Sequence, residues 1–183
     1  MPIRGQGWEI HIERKSMQSR NYGKARQRTI GTYQVYHDGK RQPGLSGVTA
    51  ERGGPGDNST PGNGKRVEEG IYPLWTQDGT KYDTMGYHRS EATNVIPKPG
   101  IELMETGKRK EILIHPGQYF ISSIGCINLA TNLPHAGEPI SYKGSRKRVI
   151  ALIEDIKAFL GNDFPNKNGA RIPRAWAVID GEP

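Results

Sequence analysis

The sequence is poor in cysteine and in apolar residues, and each shortage excludes a class of protein. Among 183 residues there is one cysteine, Cys126, which excludes an internal disulfide framework and a cysteine-rich zinc site. Only 33% of the residues are hydrophobic, and no apolar run approaches the length that crosses a bilayer. The sequence therefore predicts neither a disulfide scaffold nor a membrane span.

Acidic residues are also few relative to basic ones. Lysine and arginine number 26 against 19 aspartates and glutamates, which gives a net charge of +7. Such a balance favours an anionic partner, such as nucleic acid, a membrane surface or an acidic cell-wall polymer. The basic residues group at 14–28, 107–110 and 143–148, and each group is equally consistent with a solvated surface. Because no nucleic-acid motif accompanies them, nucleic acid is not favoured as the partner.

Glycine and proline are abundant, at 24 and 13 residues, which is typical of short strands joined by many turns. The length fits one domain over residues 1–183. Residues 51–67 hold almost nothing that could build a core, so we expect a flexible loop there. Strands are predicted over 7–14, 28–37, 67–77, 174–180 and, as a hairpin, 101–103 with 112–114. Pro73 restricts the third of these to a sheet edge or a strand start, and the basic stretch after Arg14 is predicted to be a connection.

One helix is predicted near the C-terminus. Apolar residues at 149, 152, 153, 156, 159 and 160 have the spacing of one helical face. Ser145 is predicted to cap its start and Gly161 to mark its end. The fold class is therefore mainly β, a sheet or sandwich with one amphipathic C-terminal helix.

The chemistry of the sequence centres on Cys126 and His115. A thiol attacks only as a thiolate, and a neighbouring imidazole can accept its proton. The segment "EILIH" predicts an apolar strand ending at His115, and "GCINLA" can return beside it. Gly125 allows a tight backbone before the sulfur, so that the amides of Gly125 and Cys126 can face a developing oxyanion. The competing interpretation is a buried core cysteine, which the apolar neighbours Ile127 and Leu129 would also suit.

The motifs "IHPG" and "SIGCINL" resemble the signature of L,D-transpeptidases, the YkuD-type cysteine enzymes. The pattern of that family is a strand-end His-Gly, followed later by Ser-His-Gly-Cys-Ile-Arg. Upstream, "VEEGIYPLW" resembles the family's Thr-Pro-x-Gly-x-Tyr/Phe strand. The resemblance spans about residues 29–129 and is nearest to compact phage and bacterial relatives. It implies an L,D-transpeptidase-like fold.

Carried over by position, the resemblance assigns roles to individual residues. Cys126 would be the nucleophile and His115 the general base, with a depressed thiol pKa. Ser123 would order the loop or contact substrate, and the amides of Gly125 and Cys126 would form the oxyanion hole. The main-chain carbonyl of Pro116 would orient the imidazole.

Substrate recognition is expected to involve residues around this pair. Pro116, Ile124 and Asn128 stand where the larger enzymes of the family have glycine, histidine and arginine. Residues assigned to substrate binding are His88, Tyr87, Arg109 and Asn128. His88 is also consistent with an ordinary surface histidine, and the aromatic group of Tyr72, Trp75, Tyr82 and Tyr87 with either a substrate wall or core packing. Carboxylates of the substrate would be held by cations such as Arg109 or Arg89.

The implied activity is cysteine-dependent acyl transfer or hydrolysis on peptidoglycan stem peptides. No cofactor is expected, and the histidines and Cys126 lack the short spacing that indicates a zinc site. The N-terminus lacks the apolar region of a signal peptide, so we expect a protein that is cytoplasmic as synthesised and acts on the wall after delivery or lysis. An immunity or secretion partner would fit such a route. The alternative is a non-catalytic basic binding or structural module of phage or secretion-system origin.

Overall fold

Ten strands and one α-helix make up this computed structural model, which describes residues 1–22 and 24–183. The prediction of a mainly β fold with one C-terminal helix is confirmed. The elements in chain order are β1 (Trp8–Tyr22), β2 (Lys24–His37), β3 (Lys40–Arg52), β4 (Gly70–Thr76), β5 (Tyr82–Asp83), β6 (Lys98–Pro99), β7 (Ile101–Leu103), β8 (Ile112–Pro116), β9 (Ile127–Ala130), α1 (Tyr142–Leu160) and β10 (Arg171–Asp180).

The main sheet closes on itself in the order β1-β10-β4-β7-β8-β9-β3-β2, with β1 and β2 paired. Neighbouring strands are antiparallel except for β1 with β10 and β8 with β9. The short strands β5 and β6 form a separate two-stranded sheet. The parallel pair β8 and β9 positions the two residues singled out in the sequence, because β8 carries His115 and Cys126 directly precedes β9.

The apolar core combines one side of the sheet with one face of α1. Trp8, Ile10 and Ile12 of β1 are fully buried there, as their alternation predicts. The helix packs against β8 and β9 and contributes Val149, Leu152, Ile153, Ile156 and Leu160 to the same cluster. Within the described residues no helix is long and apolar enough to span a membrane.

The N-cap of the helix lies four residues before the predicted one. Ser141 is the N-cap, and its side chain accepts a hydrogen bond from the Gly144 amide. Ser145 lies inside the first turns, where its Oγ accepts from the amide of Gly117 at 2.8 Å. The predicted end is confirmed, because Gly161 is the C-cap. The capping prediction was wrong because this stretch contains two serines. The side chain of Ser141 binds an amide of its own helix, whereas the side chain of Ser145 binds the amide of Gly117, which is distant in sequence.

The basic stretch after Arg14 is a long β-hairpin, so the predicted connection is wrong. β1 continues to Tyr22, and residues 16–22 pair with residues 24–30 of β2, beyond the last β1–β10 pair at Glu13 and Asp180. Backbone pairing needs no apolar side chains when the strands leave the core, so the alternation that marks a buried strand ends before the strand does. Asp38 and Gly39 form the turn between β2 and β3, with the positive φ values of 47° and 77° that such turns need.

Two other predictions are corrected in the middle of the chain. β4 lies between β10 and β7 and is not an edge strand. Pro73 is tolerated because it lies opposite Trp176, where the β10 register shifts, and its carbonyl accepts from the Met104 amide at 2.9 Å. The predicted loop 51–67 begins later than expected, since β3 runs to Arg52. It also ends in the buried Arg66 and Val67; its flexibility stays a prediction.

Candidate active site

His115 and Cys126 lie on the same side of the parallel pair β8 and β9. The register aligns Ile114 with Ile127 and His115 with Asn128, which places Leu113 beside Cys126. Side chains alternate across a strand, so Ile114 enters the apolar core while His115 points to the opposite side. Cys126 directly precedes Ile127, which faces the core, so its thiol lies on the same side as His115. The amide of Leu113 donates to Cys126 Sγ at 3.3 Å. The two chemically active side chains are therefore diagonal neighbours across two strands.

A cavity of about 660 Å³ opens over this side of the sheet. Its walls come from β8, from the loop that precedes Cys126 and from the segment that leads into β5. Residues of its lining that bear on chemistry are His115, Cys126, Ser123, Tyr82, Lys81 and Arg52. The sequence-predicted nucleophile and base thus line one cavity.

The His115 imidazole is oriented by the backbone and held neutral by burial. Its Nδ1 lies 2.8 Å from the carbonyl oxygen of Pro116, which is the contact that the resemblance implies. A carbonyl only accepts, so Nδ1 carries the proton and Nε2 is the nitrogen that can accept one. The Tyr82 ring lies against the imidazole with centroids 4.3 Å apart.

Burial is the main cause that lowers the pKa of His115, to about 4, and Lys81 and Lys98 lower it further. The hydrogen bond to Pro116 opposes these effects. At neutral pH the side chain is therefore an uncharged base.

The Cys126 thiol is also neutral at rest, contrary to the predicted depression of its pKa. Burial raises the pKa of this thiol to about 11, and Glu111 adds to the increase. The Leu113 amide, Arg109 and Lys81 act in the opposite direction but do not outweigh burial. The predicted depression of the pKa was wrong because burial of the thiol outweighs the neighbouring groups that favour the thiolate. Sγ also donates to the carbonyl of Glu111 at 3.5 Å.

Ser123 orders the turn that presents the thiol. Its Oγ donates to the Cys126 carbonyl at 2.7 Å and accepts from the Gly125 amide at 2.9 Å. These bonds match one of the two roles predicted for Ser123, that of ordering the loop. They also turn the Gly125 amide towards Ser123, away from the predicted oxyanion position. Of the two predicted oxyanion donors, the Cys126 amide is the one that remains.

Three arginines hold the loop before Cys126 by its carbonyl groups. Arg28 of β2 donates to Phe120 at 2.8 Å, Arg52 of β3 to Ser123 at 2.5 Å, and Arg109 to Ile124 at 3.3 Å. Charged donors make these bonds stronger than neutral ones. The loop is therefore held in place by three charged side chains.

Gly125 must be glycine for two reasons. Its φ is 150°, and a Cβ there would lie 1.8 Å from Arg109 Nη2. Residues other than glycine rarely adopt this φ, and the Arg109 guanidinium occupies the space that a Cβ would need. The Gly-Cys motif therefore reflects the packing of Arg109 as much as the chemistry of the thiol.

The residues assigned to substrate binding lie outside the cavity. None of Arg109, Asn128, His88 and Tyr87 is among the described residues that line it. Arg109 is 4% exposed and lies behind the loop. Asn128 is fully buried, where its Oδ1 accepts from the Ser122 amide and its Nδ2 donates to the His115 carbonyl. Both residues support the site from behind.

The His88 region is tied to the helix. The carbonyl of His88 accepts from Arg146 Nη2 at 2.8 Å, and its amide donates to the Pro97 carbonyl at 2.7 Å. Tyr87 packs against the apolar core. Of the aromatic group considered as a substrate wall, Tyr82 lines the cavity. The sequence identified residue types that suit binding, but it could not show which side of a strand or loop each would take.

Arg52, Lys81 and Glu111 line the cavity and were missed by sequence reasoning. The strand register could have indicated Arg52, since β3 pairs with β9. Ile124, which the resemblance aligns with a histidine of the L,D-transpeptidases, lines the cavity and is largely exposed. In the described part of the chain, no group of three or more His, Cys, Asp or Glu side chains could hold a metal ion.

Comparisons of the chain with protein-family models, with curated proteins and with solved structures return no match.

Proposed function

We propose that this protein is a cysteine acyltransferase or hydrolase of the L,D-transpeptidase type that acts on peptidoglycan stem peptides. The observation that carries the proposal is the shared cavity: Cys126 and His115 line it together, and the Pro116 carbonyl holds the imidazole with Nε2 available as a base. A nucleophile, a base and a group that orients the base are the parts that covalent acyl transfer requires.

The proposed reaction begins from the neutral pair. Cys126 Sγ attacks the carbonyl carbon of the scissile amide while His115 Nε2 accepts the thiol proton. The C–N bond then breaks, the imidazolium returns the proton to the leaving amine, and a thioester remains on Cys126. A second amine resolves the thioester to a crosslink, or water resolves it to a free acid. The Leu113 amide, Arg109 and Lys81 all favour the thiolate as it forms.

The choice of a stem peptide as substrate depends on the resemblance of "IHPG" and "SIGCINL" to the family motifs. The basic balance of the chain also suits an acidic cell-wall polymer. On this proposal the protein meets the wall after delivery or lysis, and an immunity or secretion partner would accompany delivery.

Incubation of purified peptidoglycan with the protein, followed by mass spectrometry of the muropeptides, tests the proposal. We expect new crosslinks or shortened stems with the wild type and none with Cys126→Ala. His115→Asn should reduce product formation by at least about a hundredfold, because general-base catalysis contributes that much or more. Circular dichroism of each variant shows whether the fold is kept.

Unchanged muropeptides in every sample would contradict the proposal. Product formation that survives Cys126→Ala would also contradict it, because the nucleophile would then lie elsewhere.

A second candidate is the non-catalytic basic module, which the long hairpin favours. The outer part of that hairpin extends beyond the barrel, and no acidic residue occurs from 14 to 37. Binding to insoluble peptidoglycan that Cys126→Ala leaves intact, with no change of muropeptides by the wild type, would support this candidate.

A further inference from the structure

The cavity beside Cys126 carries more positive charge than negative. Arg52 and Lys81 line it, and the acidic residue in the lining is Glu111. Lys81 is exposed at the rim, whereas Arg52 is partly buried. Over residues 1–22 and 24–183, the ion pairs include neither Arg52 nor Lys81. Both cations therefore lack a carboxylate partner within the described chain.

Each of these two cations has a second cation close enough to affect a pKa. Burial lowers the pKa of Arg52, and the nearby Arg26 lowers it further. Burial likewise lowers the pKa of Lys98, with Lys81 as the second cause. Cations that repel one another around a water-accessible cavity are stabilised by a bound anion.

The geometry of Arg52 suits a carboxylate in particular. Its Nε donates to the Ser123 carbonyl at 2.5 Å, which fixes the plane of the guanidinium next to the Cys126 loop. A guanidinium fixed in this way presents its terminal N–H groups as a fork that matches a carboxylate. The Lys81 ammonium on the segment before Tyr82 can approach the same anion as a mobile point charge.

We propose that Arg52 and Lys81 form a subsite for a carboxylate on the acyl ligand, next to the thiol of Cys126. As a statement about the substrate, this inference rests on the proposed function and adds that the stem residue bound near the thiol is anionic. As a statement about the cavity, it is independent of any reaction and is testable without peptidoglycan.

Alkylation of the chain's one thiol provides the test. Iodoacetate and iodoacetamide react alike: the thiolate sulfur forms a bond to carbon, the C–I bond breaks, and iodide leaves. They differ in that iodoacetate carries a carboxylate and iodoacetamide a neutral amide. Because both require the thiolate, the ratio of their rate constants is independent of the thiol pKa. The same protein unfolded in urea supplies the reference ratio.

We expect the ratio of the iodoacetate rate constant to the iodoacetamide rate constant to be about fivefold or more higher in the folded wild type than in the unfolded reference at low salt. The reason is the attraction between the reagent carboxylate and the nearby cations. Lys81→Gln should remove most of this preference, and added salt should weaken it. Lys81 is exposed, so its replacement does not disturb the core. The matched control is Lys143→Gln, which removes the same charge from an exposed lysine paired with Glu91.

Arg52 requires a pair of variants, since it also holds the Ser123 carbonyl. Arg52→Gln should lower the ratio, while Arg52→Lys keeps the charge and should retain part of the preference. A folded-state ratio equal to the unfolded reference would overturn the proposal, as would a preference that Lys81→Gln and Lys143→Gln change equally.

A second measurement applies even if the partly buried thiol reacts slowly with both reagents. In an NMR titration, N-acetylglycine should shift the amides of residues 122–126 at lower concentration than N-acetylglycinamide, and Lys81→Gln should abolish the difference. Equal shifts with the two compounds would overturn the proposal. Neither experiment detects turnover, so the subsite can be present when the muropeptide test is negative, and absent when that test is positive.

Discussion

The two sides of the strand pair β8–β9 are both buried but serve different purposes. On the core side, Ile114 and Ile127 are fully buried among apolar neighbours. On the cavity side, His115 is 3% exposed and Asn128 is not exposed, yet both are polar. Burial therefore does not distinguish the core from the candidate site in this protein.

The two sides differ in the interactions that their buried atoms require. Apolar side chains need only packing, whereas buried polar atoms need hydrogen-bond partners. On the cavity side those partners are mostly backbone groups, such as the Pro116 carbonyl for His115 and the Leu113 amide for Cys126. The core side stabilises the fold, and the cavity side carries His115 and Cys126, which can gain or lose a proton.

The largest expected difference is in stability. Ile114→Ala should lower the free energy of unfolding by about 2–5 kcal/mol, because it opens a cavity in a packed core. Cys126→Ala, on the opposite side of the adjacent strand and next to an open cavity, should lower it by less than about 1 kcal/mol. Urea denaturation of both variants measures the contrast. Equal losses would mean that Cys126 is a core residue, which was the competing interpretation of the sequence.

Acid should destabilise the cavity side specifically. The pKa of His115 falls from 6.5 in the unfolded chain to about 4 in the fold, so the unfolded chain binds the proton first. The stability tied to neutral His115 is thus fully present above pH 6.5 and is lost as the pH falls towards 4. The difference of pKa corresponds to about 3 kcal/mol.

His115→Asn isolates this effect, because asparagine keeps a donor for the Pro116 carbonyl but does not titrate. Urea midpoints measured from pH 7 to pH 4 should fall less steeply in the variant than in the wild type. Parallel pH profiles would show that the imidazole is not held neutral by burial.

The smallest expected effect concerns Gly125, in the loop directly before Cys126. Gly125→Ala should lower the free energy of unfolding by about 1–3 kcal/mol, because of its φ and the contact with Arg109. Gly144→Ala is the matched control in α1, where a Cβ meets no atom closer than 3.5 Å. That substitution should raise stability by up to about 1 kcal/mol, since alanine favours helices over glycine. Thermal unfolding compares the two, and a neutral Gly125→Ala would contradict the packing described for Arg109.

Sequence patterns predicted the elements whose apolar residues face a core. The helix face at 149–160, the hairpin of β7 with β8 and the last strand β10 all follow from periodicity. The hairpin beyond Arg14 was missed because its strands leave the core and carry no such period. Pro73 was assigned to an edge because a local rule cannot show that the ladder is already interrupted opposite it.

The candidate site was predictable in its chemistry but not in its surroundings. The placement of Cys126 and His115 followed from one apolar strand, one turn and a glycine. Lys81 and Arg52 come from distant parts of the chain, so no local spacing relates them to the thiol. The direction in which the thiol pKa shifts could not be predicted from the sequence either, because it depends on burial by residues that are not neighbours in sequence.

Local patterns were enough to predict a mainly β chain with one amphipathic helix and one thiol near a strand-end histidine. Those properties depend on local periodicity, on turn residues and on residue chemistry, all of which act over a few residues. The tertiary structure decided that the sheet closes, that Arg109 lies behind Gly125, and that Arg52 and Lys81 face the cavity. These facts depend on which strands pair and how deeply each group is buried, and only the folded chain brings such distant residues together.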